Sequence, residues 1–141
     1  MKMLKSMFGG LLLLLVCATA ANAAVKPAEK KLTKEDVVNI YIDAIAHGDM
    51  KGLDNVLDDS LHYIVQRGNN PMTLHKDDLM DYLRTNPADP SVTTTTTVVE
   101  DGDRHTRIRV EFKYAKYTRT DLLTLDDYGG WMITKVESSF S

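Results

Sequence analysis

The chain has 141 residues, a formal net charge of −3 and one cysteine, a length that suits a single domain with its own core. A mildly acidic chain argues against nucleic acid as a partner, because neutralising phosphates requires clustered basic residues. One cysteine forms no internal disulfide, so we expect core burial to stabilise the fold.

The first 23 residues have the features of an export signal. Lys2 and Lys5 form a basic start, residues 11–16 are an apolar run, and residues 21–23 offer a small-residue cleavage site. The apolar run is shorter than the roughly 20 residues that a membrane-spanning helix needs. Cys17 follows a valine instead of a small residue, which argues against lipid attachment. We therefore expect cleavage near Ala23 and a periplasmic or secreted mature protein without a membrane anchor.

Removing this signal takes away two lysines and no acidic residue, which leaves 118 residues and a formal charge of −5. Residues 24–32 are predicted to form a polar tether, and residues 33–141 the folded domain. The first helix is predicted to begin after Thr33, whose hydroxyl can cap it while Asp36 completes a capping box. Gly48 suits the left-handed residue that ends a helix. The apolar positions recur at helical spacing and form one inward stripe: Val37, Ile40, Tyr41, Ala44 and Ile45.

A short second helix is predicted next, with Asp49 as its cap and four inward apolar residues: Met50, Leu53, Val56 and Leu57. Residues 61–66 have strand character, and residues 68–71 are typical of a turn. A third helix is predicted over residues 76–84 and ends before Pro87. Its apolar side consists of Leu79, Tyr82 and Leu83.

From residue 91 onward the apolar period changes to two, which indicates strands. Residues 92–99 are rich in β-branched side chains, and residues 100–103 predict a hairpin turn. The next strand has an inward side of Thr106, Ile108, Val110, Phe112 and Tyr114. Strands over 118–126 and 131–140 follow, joined by a turn at 127–130. Helices followed by strands predict an α+β domain, with three N-terminal helices on the concave face of a curved antiparallel sheet.

These residues resemble the nuclear transport factor 2-like superfamily, which includes ketosteroid isomerase and the polyketide cyclases. The similarity is carried first by Tyr41, Gly48, Asp49, Leu53, Leu57 and Asp59, followed by a strand, a turn and a third helix. Residues 120–125, a glycine turn and residues 131–136 are similar to a bacterial exported branch labelled lumazine-binding. The resemblance implies a cone-shaped fold of cystatin-like topology, although one such fold supports many functions.

The resemblance to ketosteroid isomerase implies roles for three positions. Tyr41 lies where that family has the tyrosine of its oxyanion hole, and Asp121 where it has the protonated aspartate that completes the hole. The general base, two residues beyond Tyr63, is replaced by Val65. Because a valine cannot accept a proton from carbon, we do not expect isomerisation by that mechanism.

The residues themselves leave two interpretations of Asp121. It shares a strand face with Leu123 and Leu125, because alternate residues point to the same side. If that face is the inner one, burial favours an uncharged carboxylic acid, which could donate with Tyr41 to a ligand carbonyl or enolate. The alternative is that Asp121 and Tyr41 satisfy each other, or backbone groups, as a structural pair.

The remaining candidate site residues give weaker indications of a function. Tyr63 is expected to line the same interior, as a core residue or a ligand contact, and His62 to point the other way. The histidines lack metal-ligand spacing, and the sequence contains no phosphate loop or nucleophile elbow, so neither metal nor cofactor is expected. The mixed-sign face over residues 105–113 predicts a solvated sheet surface, with an anionic partner or a homodimer as alternatives.

Three functional hypotheses follow. The first is an exported binding domain for a small apolar or aromatic molecule, with polar contacts from Tyr41 and Asp121. Its pocket walls would be Tyr63, Val65, Phe112, Leu123 and Trp131. The second is an enzyme of cyclase or dehydratase type, with Asp121 as acid and Tyr41 as electrophilic donor, although no base is evident. The third is a non-catalytic dimer or interaction module with a vestigial pocket.

Overall fold

The computed structural model describes residues 31–141. The predicted export signal, residues 1–23, and most of the predicted tether, residues 24–30, lie outside the described residues. Among residues 31–141 no helix has the length and apolar character required to cross a membrane.

Helix α1 comprises Lys34–His47, with the ends that the sequence predicts. The Thr33 hydroxyl accepts a hydrogen bond from the Asp36 backbone N–H, and the Asp36 carboxylate accepts one from the Thr33 N–H, which completes the capping box. Gly48 follows with φ of 69°, a conformation that glycine adopts without steric cost. The buried side of α1 consists of Val37, Val38, Tyr41, Ala44, Ile45 and Ala46.

The second helix is shorter than predicted and begins later. Helix α2 comprises Leu53–Val56 and follows Gly52, which has φ of 82°. Asp49, the predicted cap, instead accepts a hydrogen bond from the backbone N–H of Lys51 in the preceding turn. Leu57, predicted to be helical, is fully buried at the start of the first strand. Gly52, whose left-handed backbone directly precedes Leu53, therefore marks the start of α2.

Helix α3 comprises Lys76–Thr85, as predicted within one residue. Its buried side chains are Leu79 and Met80. Tyr82, which was predicted to belong to the apolar side, is instead exposed and lines an open cleft. The prediction was wrong for Tyr82 because the apolar side of α3 consists of Leu79, Met80 and the partly buried Leu83.

The strands within residues 31–141 are β1 Leu57–Arg67, β2 Asn70–Leu74, β3 Thr93–Asp101, β4 His105–Lys113, β5 Thr118–Asp127 and β6 Trp131–Phe140. They form one sheet in the order β2-β1-β6-β5-β4-β3. The pair β1 and β6 is parallel, and the other neighbours are antiparallel. Strand β2 was not predicted, because a short edge strand that contains Pro71 resembles a continuation of the turn in sequence.

The core lies between the inner face of the sheet and the helices, which is the predicted α+β architecture. Strands β4 and β5 alternate as predicted, with Ile108, Val110 and Phe112 buried on β4 and Leu123 and Leu125 on β5. Register shifts occur between β1 and β6 and between β5 and β6, and such irregularities bend a sheet. The curvature brings one end of β1, β5 and β6 together with α3, and this end contains the candidate site.

Candidate ligand-binding site

Helix α1 and strand β5 bring Tyr41 and Asp121 together inside the domain. The Tyr41 hydroxyl donates a hydrogen bond of 2.5 Å to Asp121 Oδ2. Both side chains are fully buried, since Tyr41 lies on the inward stripe of α1 and Asp121 on the inner face of β5. The two residues meet although 80 positions separate them in the chain.

Asp121 has two further partners that the sequence analysis did not identify. The Ser138 hydroxyl donates to Asp121 Oδ1 at 2.6 Å, and Arg119 Nε donates to the two carboxylate oxygens at 3.0 and 3.2 Å. The Arg119 side chain is only 12% exposed and the Asp121 side chain 0%. Arg119 could have been found from the sequence, because it lies two residues before Asp121 and strand alternation places both on the same face.

Arg119 is also bound and surrounded on its other sides. Its Nη2 donates to the Tyr63 hydroxyl oxygen. The guanidinium carbon lies 6.0, 5.8 and 6.0 Å from the ring centres of Tyr63, Phe112 and Phe140. Aromatic faces attract cations, and a buried cation requires an ionic partner such as Asp121. These contacts hold the guanidinium in one orientation.

The titration of this cluster follows from its burial and its charges. Burial acts to lower the pKa of Arg119, but the Asp121 carboxylate and the tyrosine oxygens outweigh it, and the pKa lies well above its usual range. Burial, assisted by the nearby Asp121 carboxylate, raises the pKa of Tyr41 well above its ordinary value and that of Tyr63 to about 12. Both phenols are therefore protonated at neutral pH.

The carboxylate oxygens of Asp121 accept hydrogen bonds from Tyr41, Ser138 and Arg119, and Asp121 forms an ion pair with the Arg119 guanidinium. Both oxygens are therefore occupied by donors of the protein itself, which does not favour the expected ligand-facing carboxylic acid or an acid role in the cyclase hypothesis. The structural-pair alternative fits, extended from two residues to a cluster of Tyr41, Tyr63, Arg119, Asp121 and Ser138.

The other predicted wall residues separate into two groups. Tyr63 and Val65 line a small cavity of about 50 Å³ together with Arg119, Ser138 and Phe140. Phe112 contacts the Arg119 side of the cluster, and Leu123 is fully buried two residues further along β5. Trp131 was wrongly included, because it pairs with Asp127 at the opposite end of β5 and β6. There its ring lies 5.0 Å from the Lys34 amine.

An open cleft adjoins Arg119. This aromatic cleft has a volume of about 550 Å³ and is lined by Gln66, Arg67, Gly68, Tyr82, Tyr117, Arg119 and Phe140. A neighbouring cavity of about 130 Å³ shares Tyr82, Tyr117 and Arg119 with it. Arg119 thus contacts the closed interior and the open cleft at once.

Three of the residues that line the aromatic cleft are exposed aromatic side chains. Tyr82, Tyr117 and Phe140 are 46%, 46% and 41% exposed. The Tyr117 and Phe140 rings lie 6.0 Å apart with an interplanar angle of 47°, and the Arg67 guanidinium lies 5.9 Å from the Phe140 ring. An exposed aromatic surface next to fixed polar groups is typical of a ligand site. These residues were not predicted as site residues, because they are distant from one another in the chain and lie at the ends of helices and strands.

Metal binding finds no support in the part of the chain that the structure describes. Residues 31–141 contain no group of three or more histidine, cysteine and acidic side chains that could hold a metal ion.

Comparisons with known proteins agree with this architecture. A family profile described as "Putative lumazine-binding" matches residues 29–138. A nuclear transport factor 2-like protein of unknown function from Methylobacillus flagellatus is 19% identical, with a TM-score of 0.64 over 79% of this chain and 96% of its own. A ketosteroid isomerase-like protein from Erwinia carotovora is 15% identical, with a TM-score of 0.60 over 81% and 98%.

A third solved structure, a cystatin-like fold protein from Burkholderia xenovorans, is 13% identical, with a TM-score of 0.60 over 75% of this chain and 87% of its own. At these identities the likeness describes the fold alone. It agrees with the cystatin-like α+β topology that the sequence predicts. A search of curated proteins found no match.

Proposed function

Because this chain belongs to the lumazine-binding family of nuclear transport factor 2-like proteins, we propose that it binds a small planar heteroaromatic molecule in the aromatic cleft. The observation that carries the proposal is the position of Arg119. The buried cluster of Asp121 and Tyr63 holds the guanidinium in place, and Arg119 lines a cleft whose walls are aromatic.

The chemistry of lumazine fits these walls. Lumazine is a flat, fused heterocycle with carbonyl oxygens and ring nitrogens along its edge. Flat rings pack well against Tyr117 and Phe140 in stacked or tilted geometry, and carbonyl oxygens accept hydrogen bonds from arginine and glutamine side chains. The cleft volume of about 550 Å³ lies within the range of roughly 300–1,000 Å³ that small-molecule sites occupy.

The buried cluster then has a supporting role. Tyr41, Ser138 and Asp121 stabilise the charged Arg119 and leave no free oxyanion hole in the interior. Val65 stands at the position of the isomerase base and has no proton-accepting atom. These features favour binding over turnover, in agreement with the first functional hypothesis for the domain but with a different ligand position.

Ligand binding is tested by titrating the purified protein with lumazine and following tyrosine and tryptophan fluorescence. The matched variants are Tyr117→Ala in the cleft and Tyr128→Ala outside it, where the side chain is 73% exposed. We expect Tyr117→Ala to weaken binding by about threefold to tenfold, since an aromatic pair contributes about 0.5–1.5 kcal/mol. Tyr128→Ala should bind like the wild type. Absence of lumazine binding, or equal affinities for the two variants, would contradict the proposal.

Export is a second part of the proposal and is supported by the sequence of residues 1–23. Expression of the full chain in a bacterial host, followed by fractionation and N-terminal sequencing, tests it. We expect the protein in the periplasm or medium with Ala24 as its first residue. A cytoplasmic protein that retains residues 1–23 would contradict export.

A further inference from the structure

We infer that the ligand of the aromatic cleft is an anion: a planar heteroaromatic ring with a carboxylate that binds Arg67 and the free side of Arg119. This inference rests on the proposed function, because it specifies the charge of the ligand in the same cleft. Three observations carry it: the charge balance of the cleft, the donors that face it, and the common neighbour of the two arginines.

The first observation is an uncompensated positive charge. Arg119 is neutralised by Asp121, whereas none of the ion pairs within residues 31–141 includes Arg67. The residues lining the cleft include no aspartate or glutamate. Asp89, which retains its negative charge, lines the neighbouring cavity but not the cleft. The cleft therefore has a local positive charge on a chain whose formal net charge is negative.

The second observation concerns the donors of Arg119. Its Nε is used by Asp121 and its Nη2 by Tyr63. Nη1 takes part in no hydrogen bond within the described part of the chain, where every buried side-chain nitrogen and oxygen has a partner. Nη1 is consequently among the atoms that solvent reaches, and Arg119 lines the cleft as well as the two smaller cavities of about 50 and 130 Å³. Its N–H groups are donors oriented in advance by the buried cluster.

The third observation places both arginines beside one ring. The guanidinium carbons of Arg67 and Arg119 lie 5.9 and 6.0 Å from the centre of the Phe140 ring. A ligand that packs beside the Phe140 ring therefore lies near both guanidinium groups. Carboxylates match the planar fork of arginine and form short, charge-assisted hydrogen bonds. A neutral ring can occupy the same place but leaves Arg67 without a counter-charge.

The experiment compares lumazine with a lumazine that carries a ring carboxylate, each titrated into the wild type. We expect the carboxylated compound to bind about tenfold more tightly or better, the range for hydrogen bonds between charged groups. The affinity advantage of the carboxylated compound should shrink as the salt concentration rises, because salt screens the charge of the exposed Arg67. The matched variants are Arg67→Gln in the cleft and Arg84→Gln on α3, an exposed residue outside the cleft paired with Asp81.

Arg67→Gln should remove most of the advantage of the carboxylated compound and weaken lumazine much less, and Arg84→Gln should retain the wild-type ratio. Equal affinity of the wild type for the two compounds would overturn the inference and leave the proposed function standing. An equal loss for both compounds in Arg67→Gln would also overturn it, since Arg67 would then be a neutral part of the wall. Failure of both compounds to bind would overturn the proposed function and the inference with it.

Discussion

Arg119 and Asp121 lie two residues apart on one face of β5, with Nε of the arginine 3.0 Å from Oδ1 of the aspartate. The resemblance to ketosteroid isomerase implies a protonated aspartate at this position, ready to donate to a substrate. In this chain the Arg119 guanidinium is the donor, and Asp121 accepts hydrogen bonds from it. As a result, the hydrogen-bond donors that are available to a ligand lie in the aromatic cleft and not in the closed interior.

Removing Arg119, the cation of this pair, should destabilise the folded protein. Arg119→Met leaves the Asp121 carboxylate buried without its counter-charge, and we expect a loss of about 3–5 kcal/mol in the free energy of unfolding. Urea denaturation followed by circular dichroism measures it. Arg67→Met, whose arginine lies in no ion pair within residues 31–141, should change stability by about 0.5 kcal/mol or less. Similar losses for the two variants would show that Arg119 is not buried as described.

The double variant Arg119→Met with Asp121→Leu tests whether the cost comes from the orphaned charge. Replacing a whole buried ion pair by apolar residues is often close to neutral, so the second change should restore part of the stability lost by the first. If the double variant is less stable than Arg119→Met alone by the full cost of Asp121→Leu, the two residues are not coupled.

Tyr41→Phe should affect stability and leave ligand binding alone. It removes the hydrogen bond to a charged carboxylate, which we expect to cost about 1.5–3 kcal/mol in unfolding free energy. Because Tyr41 is fully buried behind Asp121, the dissociation constant for lumazine should remain within about twofold of the wild type. A large loss of affinity with unchanged stability would instead favour the interior chamber expected from the sequence.

The buried tyrosines should make the protein sensitive to alkali. The unfolded chain releases the Tyr63 proton near pH 10, whereas the folded protein retains it up to about pH 12. The stabilisation is therefore fully present below pH 10 and is lost as the pH rises to 12, at about 1.4 kcal/mol per pH unit for this residue.

Urea unfolding at pH 9, 10 and 11 measures this slope. Tyr63→Phe should lose stability less steeply than the wild type over this range, and Tyr128→Phe, an exposed control, should follow the wild type. Parallel slopes for Tyr63→Phe and the wild type would contradict the raised pKa of Tyr63.

The homodimer through the outer sheet face, which the sequence leaves open as an alternative, is offered as a prediction. The outer sheet face has the half-buried Leu122 among ion pairs, of which Arg107 with Glu137 joins two strands and Lys135 with Glu137 lies within β6. Sedimentation velocity should give a dimer, and Leu122→Glu should shift it to monomer. Glu35→Lys, on the exposed side of α1, is the control and should remain dimeric. A wild type that is monomeric at every concentration would refute the prediction.

Much of the fold could be predicted because it depends on local rules. The capping box of Thr33 and Asp36 and the left-handed Gly48 define α1 through neighbours a few residues away. The alternation from Thr106 to Phe112 and from Asp121 to Leu125 identified the inner faces, because strand side chains change sides at every residue. The errors at Asp49 and Tyr82 concern the ends of helices, where tertiary packing outweighs the local pattern.

The sequence by itself determined the class of fold, the inward direction of Tyr41 and Asp121, and the lack of a base at Val65. Only the tertiary structure decided that Arg119 neutralises Asp121, that Trp131 lies at the other end of the sheet, and that an aromatic cleft adjoins the cluster. Periodicity tells which side of an element is buried, but not which distant side chain meets it there. The charge state of a buried group and the shape of a cleft depend on those distant neighbours, which here come from β1, α3, β5 and β6.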